Sequence, residues 1–565
     1  MATKKYQDWT PEQGYLLPPS PTEWLPNEHL VYFVVDVVQT LDLSAIENAL
    51  QSKDARGTRP YAPRMMTALL LYAYCTGVFS SRKIERATYE NVAFRVLAAG
   101  HHPHFTRINE FRRVHREALA GLFLQGLQLC QRAGLVKLGH VSLDGTKVQA
   151  SASKHKAMSY ERMQEKEKEL VAEIEALFAQ AAETDASEDA QHGAAQRGDE
   201  LPEELRRRQS RLARIQAARA ALAREAAAAR AEILEERART HRAQAAAAAE
   251  PAEGKRAMAQ AQACEEKARA VRVRSDDDDD DAGSASSDGA AASSPPTEEE
   301  TGEASMDAEE EASGPARMPA ETPADAAPGV ATAPGADLAA PSTDDSMSPL
   351  PGHRVRHMQD GTPHAKAQRN FTDPESRIMV KGKAFLQAYN AQAAVDAAHQ
   401  IIVAEGVSNQ APDQEYLVPM LQRVVQNCGR PPEKLSADAG YFSHANVGAC
   451  EQRGVDPYIA TGREARRTPP AGSETPQNEV NEVTTPEQHT RQRMKAKLAT
   501  EEGRAIYARR KCIPEPVFGQ IKEAMGFRRF SLRGLDKVRC EWGLVCLCHN
   551  LRKLFAAGGF RPAAA

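Results

Sequence analysis

Apolar residues recur at three- and four-residue steps from Leu30 onward. Val31, Val34, Val35, Val38 and Leu41 line one stripe, the period of a helix with one face on a core. Asn27 or Glu28 can start that helix. Pro63 suits the first turn of a second, through MMTALLLYAYC, because the N–H it lacks would be unpaired there anyway. A third helix is expected from Ser80-Ser81 to Gly100, and two more between Asn109 and Gly134. The pattern predicts an arm at 1–28 and an all-helical N-terminal domain at 29–136, with possible DNA binding. The following stretch, LGHVSLDGTKVQ, alternates and is β-branched, which predicts a strand near His140–Leu143.

The character then changes twice. From Ala157 to Val273 the chain is rich in Ala, Glu, Arg, Lys and Gln, which predicts long exposed helices or a helical hairpin. Its apolar positions are mostly Ala, so any coiled coil would pack loosely. Asp276 to Leu350 holds 20 acidic residues, one basic residue (Arg317) and almost no large apolar ones. Such a segment cannot bury enough surface to offset its ordering entropy, so disorder is expected.

Order is expected again near Arg369. KAFLQAYNAQAAVDAAHQIIVAEGVS reads as strand, turn, strand, and Asp413 as the cap of a helix through LVPMLQRVVQNC. KLSADAGYF is a further strand ending in a polar loop, SHANVGACEQRG a helix and VDPYIATG another strand. Residues 465–495 read as a loop, and the chain from Thr500 through WGLVCLCHNLRKLF as helical. Strands alternating with helices predict an α/β fold. The catalytic domain is then split, 137–156 and 360–557, by a long-helix insert at 157–273 and an acidic linker at 274–359, with a tail at 558–565.

Charge and composition narrow the class. The chain is −5 overall and the acidic segment −19, so the rest carries +14. A basic body favours a polyanionic partner. The start, MATKKYQDWT, has no apolar core of a secretory signal, and LVYFVVDVV is too short to span a bilayer. Nine cysteines without a CxxC pair read as reduced thiols. A cytoplasmic protein with no membrane partner is expected. HHPH at 101–104 and CLCH at 546–549 are poor metal sites, the first because contiguous histidines around Pro cannot converge on one ion.

Three acids stand where chemistry is possible. Asp144 and Asp438 each end a strand, and carboxylates at the carboxyl ends of neighbouring strands meet at the ligand-binding edge of an α/β sheet. Glu515 lies in a helix-like segment, RKCIPEPVFGQIKEAMGF. Three carboxylates can hold two divalent cations about 3.5–4 Å apart, suited to displacement at a phosphodiester. Oxygen ligands select Mg²⁺ or Mn²⁺. Asp396 and Asp413 compete for the second position; Asp396 lies in a turn-like stretch and Asp413 reads as a cap, which favours Asp438. Glu523 reads as a helical pair with Lys522, and Glu541 lies along a separate helix. Lys147, Lys154, His155 and Lys156 follow the first acid, and Arg528, Arg529 and Arg533 the last; both groups can hold phosphates. Arg82, Lys83, Arg86, Arg112 and Arg113 are candidates for DNA contact in the helical domain.

The runs SLDGTKVQASASKHKAMSYERM, YNAQAAVDAAHQIIVAEGVSNQAPD, SADAGYFS and RRKCIPEPVFGQIKEAMGFRRFSLRGLDKVRCEWGLVCLCHNLRKL closely resemble DDE transposases of bacterial insertion sequences, in the branch typified by insertion sequence 1182. The helical part, with RMMTALLLYAYCTGVFSSRKIERATYENVAFRVLAAG, resembles the same branch. The resemblance spans roughly 25–160 and 360–557. It implies a ribonuclease H-like catalytic domain and cleavage and joining of double-stranded DNA with two Mg²⁺ or Mn²⁺ ions. It also implies a homodimer or higher assembly on DNA, nucleoid association, and Asp144, Asp438 and Glu515 as catalytic and metal-holding triad. Lys147, Lys154, Lys156, Arg510, Lys511, Lys522, Arg528, Arg529 and Arg533 are the expected DNA contacts. The family also expects a Tyr, two residues, an Arg, three residues, the Glu, six residues and a Lys. Lys522 stands at its expected place after Glu515, but Lys511 falls at the Arg position, and Tyr507 and Arg510 sit one residue early. Lys supplies a point charge where Arg would supply a bidentate fork.

Overall fold

Among the described residues seven α-helices form where five helices are expected. They are α1 (Leu30–Thr40), α2 (Ser44–Gln51), α3 (Pro63–Cys75), α4 (Ser81–Glu90), α5 (Val92–Ala98), α6 (Phe105–Val114) and α7 (Arg116–Arg132). His29, not Asn27 or Glu28, caps α1, its ring nitrogen accepting from the Val31 N–H at 3.2 Å. One expected helix becomes α4 and α5 because Asn91 is extended and its side chain accepts from the N–H groups of Ala93 and Phe94. A side-chain cap of this kind ends one helix by starting the next. The computed structural model describes residues 20–51, 60–192, 203–248, 250–283, 350–382, 384–462 and 485–558.

The sheet is built around β1 (His140–Gln149), longer than the expected strand. A short strand, β2 (Ala157–Ser159), follows it. Three long helices come next: α8 (Tyr160–His192), α9 (Glu203–Ala247) and α10 (Pro251–Gly283). Then come β3 (Gln368–Asn370), β4 (Arg377–Lys381), β5 (Ala384–Asp396), β6 (Ile402–Ser408), α11 (Leu417–Cys428), β7 (Lys434–Ala437), α12 (His444–Gln452) and β8 (Asp456–Ile459). β5 runs antiparallel between β1 and β6, and its first residues also pair with β4. On the other side β1 is parallel to β7, and β7 to β8. Six strands, antiparallel on the β5 side of β1 and parallel on the β7 side, make the mixed α/β sheet expected of a ribonuclease H-like domain.

The chain closes with α13 (Pro486–Ala499), α14 (Glu501–Arg509), α15 (Pro514–Gly519) and α16 (Leu535–Ala556). α13 begins inside the stretch 465–495 read as a loop and runs four residues past it. Thr485 and Gln488 form a reciprocal capping box ahead of it; residues 463–484 of that stretch lie outside the described residues. α16 is buried from Cys540 to Leu551. It packs on α3 and α7 on one side and on β6 on the other. Gly126 of α7 permits the closest approach, since a Cβ there would stand 2.1 Å from Leu547 Cδ1. The N-terminal helices and the sheet therefore share one hydrophobic core rather than packing as separate domains.

The insert has no comparable core. β2 and β3 pair at its root. The helices meet in small clusters: Met163, Leu170, Ile215 and Ala218; Leu222 and Ala226 with Val355 and Ala367; Ala231, Leu234 and Ala268. Ion pairs join the helices, Arg219 to Glu167 at 2.9 Å and Arg272 to Glu235 at 2.8 Å. Glu225 of α9 holds Arg369 and Arg377, tying the insert to the sheet side. α10 continues to Gly283, beyond the expected end at Val273. Most of the acidic segment, 284–349, lies outside the described residues. The described chain resumes at Leu350, buried in the core, and the His353 N–H reaches Asn409 Oδ1 at 2.7 Å. That is ten residues ahead of the expected boundary at 360. No helix among the described residues is long and apolar enough to cross a membrane.

Candidate active site

Parallel pairing of β1 with β7 sets Leu143 opposite Ala437. Asp438 follows where β7 ends, whereas Asp144, read from sequence as a strand end, lies mid-strand, because β1 continues along β5 to Gln149 past the end of β7. Asp144 is largely buried, and desolvation lifts its carboxyl to about 6. Arg510 opposes that rise, with Nη1 3.3 Å from Asp144 Oδ2 and both side chains mostly covered. The Gly145 N–H also donates to Asp144 Oδ1 at 2.8 Å, while the charges of Asp438 and Asp413 push the carboxyl up. Asp438 caps its own turn, Oδ1 accepting from the Gly440 N–H at 2.9 Å.

Asp413, read from sequence as a helix cap, makes no side-chain capping bond. It stands in the acidic centre instead. Its Oδ1 accepts from Asn390 Nδ2 at 2.6 Å, Gln392 Nε2 at 2.9 Å and Lys147 Nζ at 3.2 Å. Asn390 and Gln392 are fully buried polar residues two apart on β5. That spacing puts both on one face of an otherwise apolar strand, the signal in YNAQ that spacing arguments about acids passed over. The buried Tyr441 hydroxyl donates to Gln392 Oε1; burial first, then Asp413, Asp144 and Asp438, keep it protonated.

The other competing acids have structural posts. Asp396 is buried and accepts from the N–H groups of Leu138 at 2.6 Å and Ala398 at 2.9 Å. Glu541 is buried in α16 and holds the N–H groups of Ser531 and Leu532 at 3.0 Å. Glu523 pairs with Arg528, not with Lys522 as expected.

Glu515 sits in the first turn of α15, which packs on β1 and β5, and its side chain is exposed. Among the described residues no three His, Cys, Asp or Glu side chains gather closely enough to hold a metal ion. The structure thus brings Asp144 and Asp438 together, with Glu515 on a helix that packs against the Asp144 strand but not in a three-residue cluster with them. Two carboxylates still suit Mg²⁺, which keeps several waters and commonly takes one or two protein carboxylates.

The cations divide into two groups. Arg510, Lys522 and Lys147 are held inside the site. The Arg510 guanidinium lies 5.9 Å from the Tyr507 ring centroid, so the pair displaced by one residue in sequence still reaches Asp144. A tight turn at 510–512, ahead of Pro514, takes up the extra residue. Lys511, at the expected Arg position, is exposed. Lys522 donates to Thr146 Oγ1, two residues after Asp144, and burial lowers it to about 8. Lys147 also donates to the Ala411 carbonyl at 2.7 Å.

Lys154, Lys156, Arg528, Arg529 and Arg533 are exposed. They lie on two chain segments that run together: Phe530 N–H donates to the Gln149 carbonyl at 2.8 Å, and Arg533 Nε to the Ser151 carbonyl at 3.0 Å. In the helical part, Arg112 is buried and bonds Tyr74, Phe79 and Ser81, so it is a packing residue and not a DNA contact. Arg86 pairs with Glu90, and Arg82 lies over Phe105. His104 caps α6, and His102 stacks on Tyr89. Among the described residues all nine cysteines are free.

A mixed sheet with two acids on adjacent strands, backed by cations from the closing helices, is the arrangement of an α/β enzyme with an acidic centre. The family described as "Transposase DDE domain" matches residues 344–551, and "Transposase domain (DUF772)" matches 20–114. Together these matches span more than half of the chain, which belongs to the DDE transposases of insertion sequences. The first match begins after the insert, so β1 with Asp144 lies outside it. Neither a curated protein nor a solved structure matches the chain.

Proposed function

We propose that this transposase cleaves DNA at the ends of an insertion sequence and joins the freed ends to target DNA, as a member of the 1182-like branch. The observation that carries this reading is the meeting of Asp144 and Asp438 just past the last rung of the parallel β1–β7 pair, with Arg510 and Lys522 converging on them. Asp144 and Asp438 would hold Mg²⁺ or Mn²⁺, with Glu515 the third acid of the site. Two divalent ions at such a site stabilise the charge on the attacking and leaving oxygens of an in-line displacement.

The chain's own residues supply the rest. Arg510 neutralises Asp144 in a poorly solvated setting, which keeps a carboxylate available there. Lys522, tied to Thr146, carries positive charge toward the same carboxylate. The exposed Lys154, Lys156, Lys511, Arg528, Arg529 and Arg533 hold phosphates and set the register of the duplex without reading its sequence. Two DNA ends require at least two protomers, so a homodimer or larger assembly acts on DNA.

The test is a cleavage and strand-transfer assay on the flanking DNA ends with Mg²⁺. Asp144→Asn, Asp438→Asn and Glu515→Gln preserve size and remove charge. Each is expected to abolish both products while leaving DNA binding largely intact. Near-wild-type cleavage by any one removes that residue from the triad. Cleavage without joined product in the wild type would instead identify a nuclease, and binding without cleavage a DNA-binding relative.

A further inference from the structure

We propose that Asp413 is a positioning residue of the acidic centre, joining the strand that bears Asp144 to the turn that bears Asp438. The inference rests on the reading of those two acids as metal-holding.

The two acids belong to separate chain segments, and little backbone joins them beyond the last rungs of the β1–β7 ladder. Asp413 comes from a third segment, the loop between β6 and α11. On one side it takes the Lys147 ammonium, three residues along β1 from Asp144. On the other it flanks Gly440: a Cβ built there would stand 3.1 Å from Asp438 Oδ1 and 3.7 Å from Asp413 Oδ2. The turn after Asp438 therefore rests against Asp413, and a Cβ at Gly440 would crowd the Asp438 carboxylate.

Gln392 completes the bridge. Its Nε2 donates to Asp413 Oδ1 and to Asn390 Oδ1 at 3.0 Å, and its Oε1 accepts from Tyr441 of the Asp438 turn. The same amide covers Gly145, where a Cβ would stand 2.3 Å from Nε2. Trp542 of the buried α16 donates its indole N–H to the Gln392 carbonyl at 3.1 Å, which anchors this part of β5 to the core.

A negative charge at Asp413 has a cost, because it repels the two acids it positions. Lys147 offsets that charge, and both side chains are mostly covered, at 17% and 23% exposure for Lys147 and Asp413. A paired buried charge is tolerable where an unpaired one is not. Asp413 and Lys147 therefore form a unit, and removing either alone should disturb the acids more than removing both.

The experiment titrates Mn²⁺ into the full-length protein and follows free Mn²⁺ by electron paramagnetic resonance. It compares wild type, Asp413→Asn, Lys147→Met and the double variant. The expected result is a loss of Mn²⁺ affinity of about 10- to 100-fold in each single variant, the range seen when groups supporting metal ligands are removed. The double variant should recover part of it, and melting temperatures should hold. In DNA cleavage kcat should fall while KM for the DNA end stays unchanged. Wild-type Mn²⁺ affinity in both single variants overturns the inference. So does a loss of affinity that tracks a fall in melting temperature in both, since that is a general folding defect. Absence of Mn²⁺ binding by the wild type would instead overturn the metal reading of Asp144 and Asp438.

Discussion

Arg510 reaches Asp144 with Nη1 at 3.3 Å from Oδ2, although it stands one residue before the position where the family expects its arginine. Lys511, at the expected position, faces solvent. Arg510→Ala should leave the poorly solvated Asp144 without its cation and lower DNA cleavage about 100-fold, the loss of roughly 2.7 kcal/mol of charge stabilisation. Lys511→Ala should stay within a few-fold of wild type. Single-turnover cleavage of an end-containing duplex compares them, and equal losses would contradict the assignment of the cation to Arg510.

The turn after α3 presses on the segment that carries Lys522. Gly77 has φ +81°, and a Cβ there would stand 2.6 Å from the Met525 carbonyl oxygen. Gly77→Ala combines an unfavourable backbone conformation with a clash against backbone that cannot rotate away. A loss of about 2–3 kcal/mol is expected. Chemical denaturation measures it, and a loss below about 0.5 kcal/mol would show that this contact yields freely.

Acid sensitivity should come from buried histidines. Burial lowers His140, His353 and His549 each to about 4. A histidine held neutral in the fold contributes stability that is full above its ordinary value near 6.5. That stability is lost as pH falls through about 4, because the unfolded chain takes up the proton first. His549 bonds the Gln400 carbonyl at 2.9 Å from within α16. His549→Gln keeps a donor and does not titrate, so its melting temperature should fall less between pH 6.5 and 4 than that of wild type. Parallel melting curves across that range would exclude His549 as a contributor.

Charge segregation predicts a salt-dependent effect. Asp276 to Leu350 carries −19 against +14 on the rest. Replacing residues 276–349 by a short flexible linker, which removes the acids and keeps the buried Leu350, should raise non-specific DNA affinity at low ionic strength. The gain should shrink as salt shortens the Debye length. A salt titration of binding to random-sequence duplex decides it, and equal affinities throughout would make the segment electrostatically inert toward DNA.

Local pattern in the sequence determined a good deal. The apolar stripe of Val31, Val34 and Val38, the alternation before Asp144 and the paired strands around YNAQAAVD all follow from periods that a single chain segment carries. The strand end before Asp438 was legible for the same reason. Asp144 instead lies within β1, which continues to Gln149 because β5 pairs with it beyond the end of β7, a partner that the local pattern does not show. Even the Ala-rich helices of the insert were legible from composition alone.

Tertiary structure decided what depends on which segments meet. Asp413 looked like a cap because the residues that hold it, Lys147, Asn390 and Gln392, come from strands far away in sequence. Arg112 looked like a surface cation because nothing local shows that Tyr74 and Ser81 enclose it. The shared core also lay beyond local reading. α16 is buried without a break from Cys540 to Leu551 because helices on one side and β6 on the other both pack on it. Whether Arg510 or Lys511 meets Asp144 turned on one residue of helical phase. A tight turn before Pro514 set that phase, and a count of spacings from Glu515 cannot register it.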